Sequence, residues 1–172
     1  HVPALMALGM AQVDSYERVG IGKMCTGGLL GWGDNNRDMP IRRVARNHWE
    51  IRVNDATSKA GIIGGALDRK ILKTESASRM LQPDLLLNIL TDVFSEFTLM
   101  YTEDDRNKLG MTQFLPVSLE AALKELENDR AWAISVLGAQ YLDWFLALKK
   151  REMEVVLKME VKERRLHMIS FF

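Results

Sequence analysis

Five arginines and one glutamate sit between Asn35 and Asn54, in the stretch NNRDMPIRRVARNHWEIRVN. The arginines are Arg37, Arg42, Arg43, Arg46 and Arg52; the glutamate is Glu50. Arginine presents a planar fork that holds phosphate or carboxylate through two parallel hydrogen bonds. A lone carboxylate among such cations stays ionised, because neighbouring positive charge favours its charged form. An ionised carboxylate beside phosphate-binding arginines is what a divalent cation in phosphoryl transfer requires. The stretch therefore points to an anionic ligand, with Glu50 as the candidate metal ligand.

Two short strands must position these groups. Pro40 to Val44 reads as the first and His48 to Val53 as the second, with Ala45 to Asn47 as the turn. In the second run Trp49, Ile51 and Val53 alternate with His48, Glu50 and Arg52. Strand side chains point to opposite faces with period two. One face can pack on a core while the other shows an imidazole, a carboxylate and a guanidinium in a row. A solvated edge strand gives the same alternation. The density of charge, four arginines from Arg37 to Arg46, favours the ligand-binding reading.

Composition sets the bounds. The chain has 172 residues, enough for one domain with a core. Lys plus Arg and Asp plus Glu are both 23, so the formal net charge is zero. No global charge argues for nucleic acid or a membrane surface, and neither is expected as a partner. The basic cluster is local and suits a small anion. A single cysteine, Cys25, forms no internal disulfide, and no Cys/His spacing suggests zinc. This usage fits a reducing compartment, most simply the cytoplasm. The longest uncharged runs, Val2 to Val13 and Ala131 to Leu142, fall short of the ~18 apolar residues of a membrane span. His1 is not an initiator residue, and the start reads as a cut through a longer chain rather than a signal peptide.

Along the chain, Val2 to Met10 reads as a short apolar helix with Pro3 in its first turn. Asp14 to Arg18 follows as a polar loop. Gly20-Ile21-Gly22-Lys23 invites a phosphate-loop reading, which fails: Glu17 and Met24 stand where that motif needs Gly and Ser or Thr. Leu29 to Trp32 reads as a short buried strand, and Gly33 to Asn36 as a turn. Asn54 or Asp55 caps a helix to about Lys73. A loop to Asp84 follows, then a helical stripe of Leu86, Leu90, Val93 and Phe97. Thr102 opens a short helix that Gly110 closes. Pro116 and Ser118 open another over Leu119 to Glu127. From Arg130 the chain reads as helical to its end, with Leu137, Tyr141, Phe145, Leu148 and Glu152 on one face. The apolar end Leu166 to Phe172 is expected to dock on this fold or a neighbouring subunit.

With these pieces in order, the chain resembles the C-terminal part of the catalytic domain of glutamine synthetases, particularly type I-like members. Five segments carry the resemblance: His1 to Leu5; Asp14 to Arg18; Trp32-Gly33 through Asn36-Arg37 to Ile41-Arg42; Trp49 to Arg52; and Lys108-Leu109-Gly110 through Leu115-Pro116 to Ser118-Leu119-Glu120. The resemblance implies an ATP-dependent ligase that phosphorylates the side-chain carboxylate of glutamate, after which ammonia or another amine displaces the phosphate. It implies that Arg18 holds the substrate carboxylate, Arg37 and Arg42 the ATP phosphates, and Glu50 a Mg2+ or Mn2+ ion. Arg52 lies near the substrate and the transferred phosphate and is the candidate catalytic residue. It also implies homo-oligomeric rings with active sites between subunits.

The implied fold is α+β: a small antiparallel sheet, part of the family's catalytic barrel, then a mostly helical C-terminal half. Residues 1–54 would supply active-site strands and loops and residues 55–172 the helices, as one partial domain. Taken alone, these 172 residues are expected to be inactive. Three departures stand out. The loop Gly22-Lys23-Met24-Cys25-Thr26 has no carboxylate where ordinary members place the glutamate of the ammonium site. His48 stands where the family usually has arginine. The remaining metal ligands of the family lie upstream of His1. The loop from Gly27 to Trp32, with Asn36-Arg37 and Pro40-Ile41-Arg42, is similar to FluG-type glutamine-synthetase-like proteins, which lack the same loop glutamate. A non-catalytic relative with a binding, assembly or developmental signalling role is therefore the alternative.

Overall fold

The computed structural model describes residues 1–20, 23, 28–46, 48–55, 102–108 and 112–169. The expected helix after Asp55, the stripe from Leu86 to Phe97, and the loop around Met24 and Cys25 lie outside them.

Helix α1 (Val2–Gly9) is apolar on every side and buried along almost its whole length. A helix without a polar face belongs inside a core. It lies against α3 (Leu119–Asn128), whose Leu119, Ala122, Leu123 and Leu126 form a stripe at i, i+3, i+4 and i+7. Ser118 caps α3 as expected: its Oγ accepts from the Ala121 N–H at 3.1 Å. Phe145, Leu142, Leu146 and Trp132 complete the same core. Between α1 and α3 in sequence comes α2 (Glu103–Lys108).

The sheet has three strands, β1 (Trp32–Asp34), β2 (Ile41–Ala45) and β3 (His48–Ile51), in that order. β2 and β3 form the expected antiparallel hairpin, with Arg42 opposite Glu50 and an irregularity between Arg43 and Ala45. β1 differs from expectation. It starts at Trp32 rather than Leu29, and it pairs with β2 in parallel, Gly33 beside Arg42. The sheet is therefore mixed. Leu29 instead forms a bridge with Phe114, fastened by Leu30 N–H to Gln113 O at 2.8 Å and Leu115 N–H to Gly28 O at 2.7 Å. A parallel pair normally needs a crossover of about a dozen residues or more, yet here only Asn35 to Pro40 reverse the chain twice. Asn35 makes this possible with a φ of 50°, in the left-handed region, which Asn tolerates better than most residues. Gly33 is required beneath the returning loop: a Cβ there would lie 2.9 Å from the Asn36 Cβ.

The continuous final helix expected from Arg130 is three helices: α4 (Arg130–Leu137), α5 (Ala139–Val156) and α6 (Val161–Ile169). α4 and α5 meet at 110°. Gly138 makes the break with φ +80° and ψ 149°, backbone that a side chain strongly disfavours. The break rotates the buried face of α5. Leu142, Phe145, Leu146, Lys149 and Val156 are buried, whereas Leu148 is exposed. Nothing lies within 4 Å of a Cβ at Gly138, so Gly138→Ala isolates the backbone cost. It is expected to lower unfolding stability by about 1–3 kcal/mol, read as a lower urea midpoint at unchanged slope. No single helix among the described residues is long and apolar enough to cross a membrane.

Candidate functional site

The alternation read in β3 becomes two faces of the sheet. On one, Ile41 and Ile51 pair across the hairpin beside Trp32 and pack on the core. On the other, Gly33, Arg42 and Glu50 fall in one row, with Arg52 just past the end of β3. Arg42 Nη1 donates to Glu50 Oε2 at 2.8 Å, and Arg52 Nη1 donates to Glu50 Oε1 at 3.0 Å. Each carboxylate oxygen is thus held by a different guanidinium. Arg42 also donates through Nη2 to the Asn35 side-chain oxygen. The Arg52 backbone N–H donates to Pro40 O at 2.9 Å, so the strand pairing continues through that residue.

Burial is uneven in this trio. The arginine side chains are 15% and 14% exposed, while that of Glu50 is 39% exposed. The two cations are sunk along their stems, and the carboxylate faces outward. Its pKa is lowered, first by the hydrogen bond from Arg42 and then by the charges of Arg52 and Arg42, against partial desolvation. The expectation of a permanently ionised Glu50 has a geometric cause here.

Neither of the other expected residues hydrogen-bonds to or ion-pairs with this trio. Arg37 stands exposed on the turn between β1 and β2, with no side-chain partner among the described residues. Arg18 ends a 3₁₀ helix, Val13–Arg18, where a polar loop was expected; it too is exposed and has no such partner. Ser15 and Tyr16 anchor that turn in the core, and the Tyr16 hydroxyl donates to Met6 O at 3.2 Å.

Burial is the main cause raising the Tyr16 pKa far above the ordinary phenol value, with the charge of Asp55 adding to it. The unfolded chain loses this proton near pH ~10 while the folded chain keeps it. The unfolded state therefore binds fewer protons, and stability falls as pH rises above ~10. Urea midpoints measured between about pH 8 and 11 should drop at the alkaline end, and Tyr16→Phe should flatten that drop.

Arg43 belongs to the charge cluster but serves the fold. It forms a two-pronged ion pair with Asp34, and its guanidinium sits 5.1 Å from the Trp32 ring centroid and 5.8 Å from that of Trp49. Such stacking over an indole stabilises a cation by about 0.5–2 kcal/mol. Asp34 and the two indoles were not singled out as its partners, because pairing across β1 and β2 was not foreseen. Beside them, Asp34, Asn35, Arg43, Val44, Ala45 and Arg46 line an open depression that holds none of the expected site residues.

The donor set can be tested against the implied cofactors. Arg37, Arg42 and Arg52 are suited to phosphate oxygens. No group of three His, Cys, Asp or Glu side chains converges on a metal position among the described residues. Glu50 supplies one carboxylate, already engaged at both oxygens, so these residues do not make a metal site on their own.

Comparison with known proteins gives matches in family, sequence and fold. The family described as "Glutamine synthetase, catalytic domain" matches residues 95–168. Protein fluG of Emericella nidulans is 28% identical over 165 residues, covering 96% of this chain and 18% of that protein. The glutamate–methylamine ligase of Methyloversatilis universalis is 30% identical over 162 residues, covering 88% of this chain and 33% of that protein. The chain thus spans a third or less of these relatives. In fold, it is similar to apo GmaS (TM-score 0.62, 21% identity, 96% of this chain and 35% of that one). It is similar also to Plasmodium falciparum glutamine synthetase (TM-score 0.61, 20% identity, 96% of this chain and 39% of that one). With its mixed three-stranded sheet, its helical C-terminal half and these matches in sequence, the chain is similar to a fragment of the glutamine synthetase family.

Proposed function

We propose that this chain forms part of an ATP-dependent ligase that joins an amine to the side-chain carboxylate of glutamate through an acyl phosphate. The observation that carries this reading is Glu50 held between Arg42 and Arg52 on one sheet face. A scaffold has no physical need for two sunken guanidinium groups meeting one outward carboxylate. In the proposed roles, Arg37 and Arg42 bind phosphate oxygens of ATP and Arg18 holds the carboxylate of the amino acid. Arg52 stabilises the charge that spreads over the transferred phosphoryl group. An incoming phosphate oxygen competes with Glu50 for the same Nη donors.

Glu50 would contribute one ligand to a Mg2+ or Mn2+ ion whose other donors lie beyond the described residues. That ion would neutralise phosphate charge. Assembly of several copies, through a longer chain, and a cytoplasmic setting are part of the same proposal.

Methylamine joins ammonia as a candidate acceptor, since the Methyloversatilis protein is named for it. A second reading rests on the loop Gly22 to Thr26, which carries no carboxylate to take a proton from an ammonium. It makes this chain a binding or signalling relative without turnover. The test is ATP- and Mg2+-dependent phosphate release by the full-length protein with glutamate and, in turn, no amine, ammonia or methylamine. Amine-dependent release that Arg37→Ala weakens at subsaturating ATP supports the ligase and identifies its acceptor. Absence of release with any amine, beside ATP binding that Arg37→Ala weakens, establishes the binding role instead.

A further inference from the structure

The 3₁₀ helix that presents Arg18 is six residues long. Such helices rarely exceed three or four residues, because their hydrogen-bond geometry is poor. Its shape must therefore be set from outside. Residues at i and i+3 of a 3₁₀ helix lie on one side, which puts Asp14 and Glu17 together. Helix α6 meets that side. Arg164 Nε donates to both Asp14 oxygens, at 3.0 and 3.2 Å, and its Nη2 donates to Asp14 as well. Arg165 Nη2 donates to Glu17 Oε2 at 2.8 Å.

The Arg164 and Asp14 side chains are 12% and 22% exposed, so their attraction is screened less than that of a surface pair. Leu166 and Ile169 of α6 stay largely exposed. Arg164 and Arg165 thus attach α6 to the 3₁₀ helix through ionic contacts.

We propose that Arg164 is a positioning residue for Arg18: by clamping Asp14 it fixes the 3₁₀ helix and hence the guanidinium that holds the amino-acid carboxylate. The inference deepens the role given to Arg18 above and rests on it. Asp14 and Arg164 lie 150 positions apart in sequence, so a helix distant in sequence from the substrate residue sets substrate affinity without touching substrate.

The test uses the full-length protein and two readouts that need no turnover. One is the Kd for glutamate, with the Kd for ATP beside it, by calorimetry. The other is hydrogen exchange of the backbone amides of residues 13–18. Arg164→Gln should raise the glutamate Kd about ten-fold, leave the ATP Kd within about two-fold, and speed exchange at 13–18. Arg164→Lys should recover part of the affinity, since it keeps the charge without the fork. Arg18→Ala serves as the reference. A raised Kd in Arg18→Ala beside an unchanged Kd in Arg164→Gln overturns this inference alone. An unchanged Kd in Arg18→Ala, or a wild-type protein that binds no glutamate, overturns the substrate role of Arg18 and this inference with it. Equal rises for glutamate and ATP in Arg164→Gln mean general destabilisation and overturn the clamp.

Discussion

Under the proposed ligase reading, Glu50→Gln in the full-length protein is expected to cut kcat for amide formation by about 10²–10³-fold while ATP binds as tightly as before or more tightly. The two effects have one cause. In the wild-type chain the carboxylate neutralises one of two guanidinium charges and occupies one Nη of each. Glutamine has no charge, and its NH₂ group faces a donor where an oxygen accepted. The phosphates then meet two cations with weaker competition, which favours binding. On the proposed reading the chain also loses the carboxylate that it would contribute to a divalent cation, which would disfavour chemistry. The fold should survive, because a side chain 39% exposed is well screened and such pairs contribute about 0–1 kcal/mol. Steady-state kinetics with ATP varied, and calorimetric binding of ATP, separate the two effects. A fall in both kcat and ATP affinity would show that Glu50 orients the arginines and does no more.

The pH profile of this group follows from the same geometry. The Glu50 pKa is lowered in the folded chain, so its contribution to stability is complete above the ordinary carboxylate range. It is lost as pH falls through the lowered value. Between these limits wild type and Glu50→Gln should converge in stability as the solution is acidified.

The two halves of the molecule were not equally readable. The hairpin was legible because period-two alternation from His48 to Arg52 admits one half-buried solution. Helix α3 was legible because Ser118 offers a cap directly before a repeat of Leu119, Leu123 and Leu126. β1 was not. Three residues carry too little pattern, and their pairing depends on Asn35 taking a positive φ, which no periodicity announces. The break at Gly138 was missed for a related reason. An isolated glycine in a helical stretch is tolerated at a cost of about 1 kcal/mol, and only its dihedral angles distinguish a corner from a blemish.

The site divides along the same line. Arg42, Glu50 and Arg52 meet because residues two apart on a strand share a face and their partner strand is in register. Arginine density, by contrast, overstated the site. Arg43 was counted with the ligand-binding group, but it is committed to Asp34, Trp32 and Trp49. Distinguishing it needed the register: Arg42 and Arg43 are neighbours in sequence and so must point to opposite faces. The clamp by α6 lay beyond sequence reasoning altogether, since nothing local links Arg164 to Asp14.

Arg52→Lys should lower kcat by about 10²-fold with little change in the KM for ATP, whereas Arg37→Ala should mainly raise that KM. The contrast rests on where the two arginines stand. Arg37 is exposed on a turn; a contact that it makes equally with bound and reacting ATP is uniform binding. Arg52 is 14% exposed and fixed by Glu50 at 3.0 Å. Its backbone is fixed as well, by the hydrogen bond to Pro40 O. A guanidinium held in this way is already oriented, so on the proposed reading its remaining donors would need little movement as negative charge builds on a transferred phosphoryl group. Lysine keeps the charge but loses the planar fork, and one ammonium cannot hold Glu50 and a phosphoryl oxygen in the same geometry. A lysine variant with normal kcat would show that charge alone suffices and would move the catalytic role away from Arg52. If kcat falls at unchanged KM, the residue acts on the transition state, in line with the role proposed for it beside Glu50.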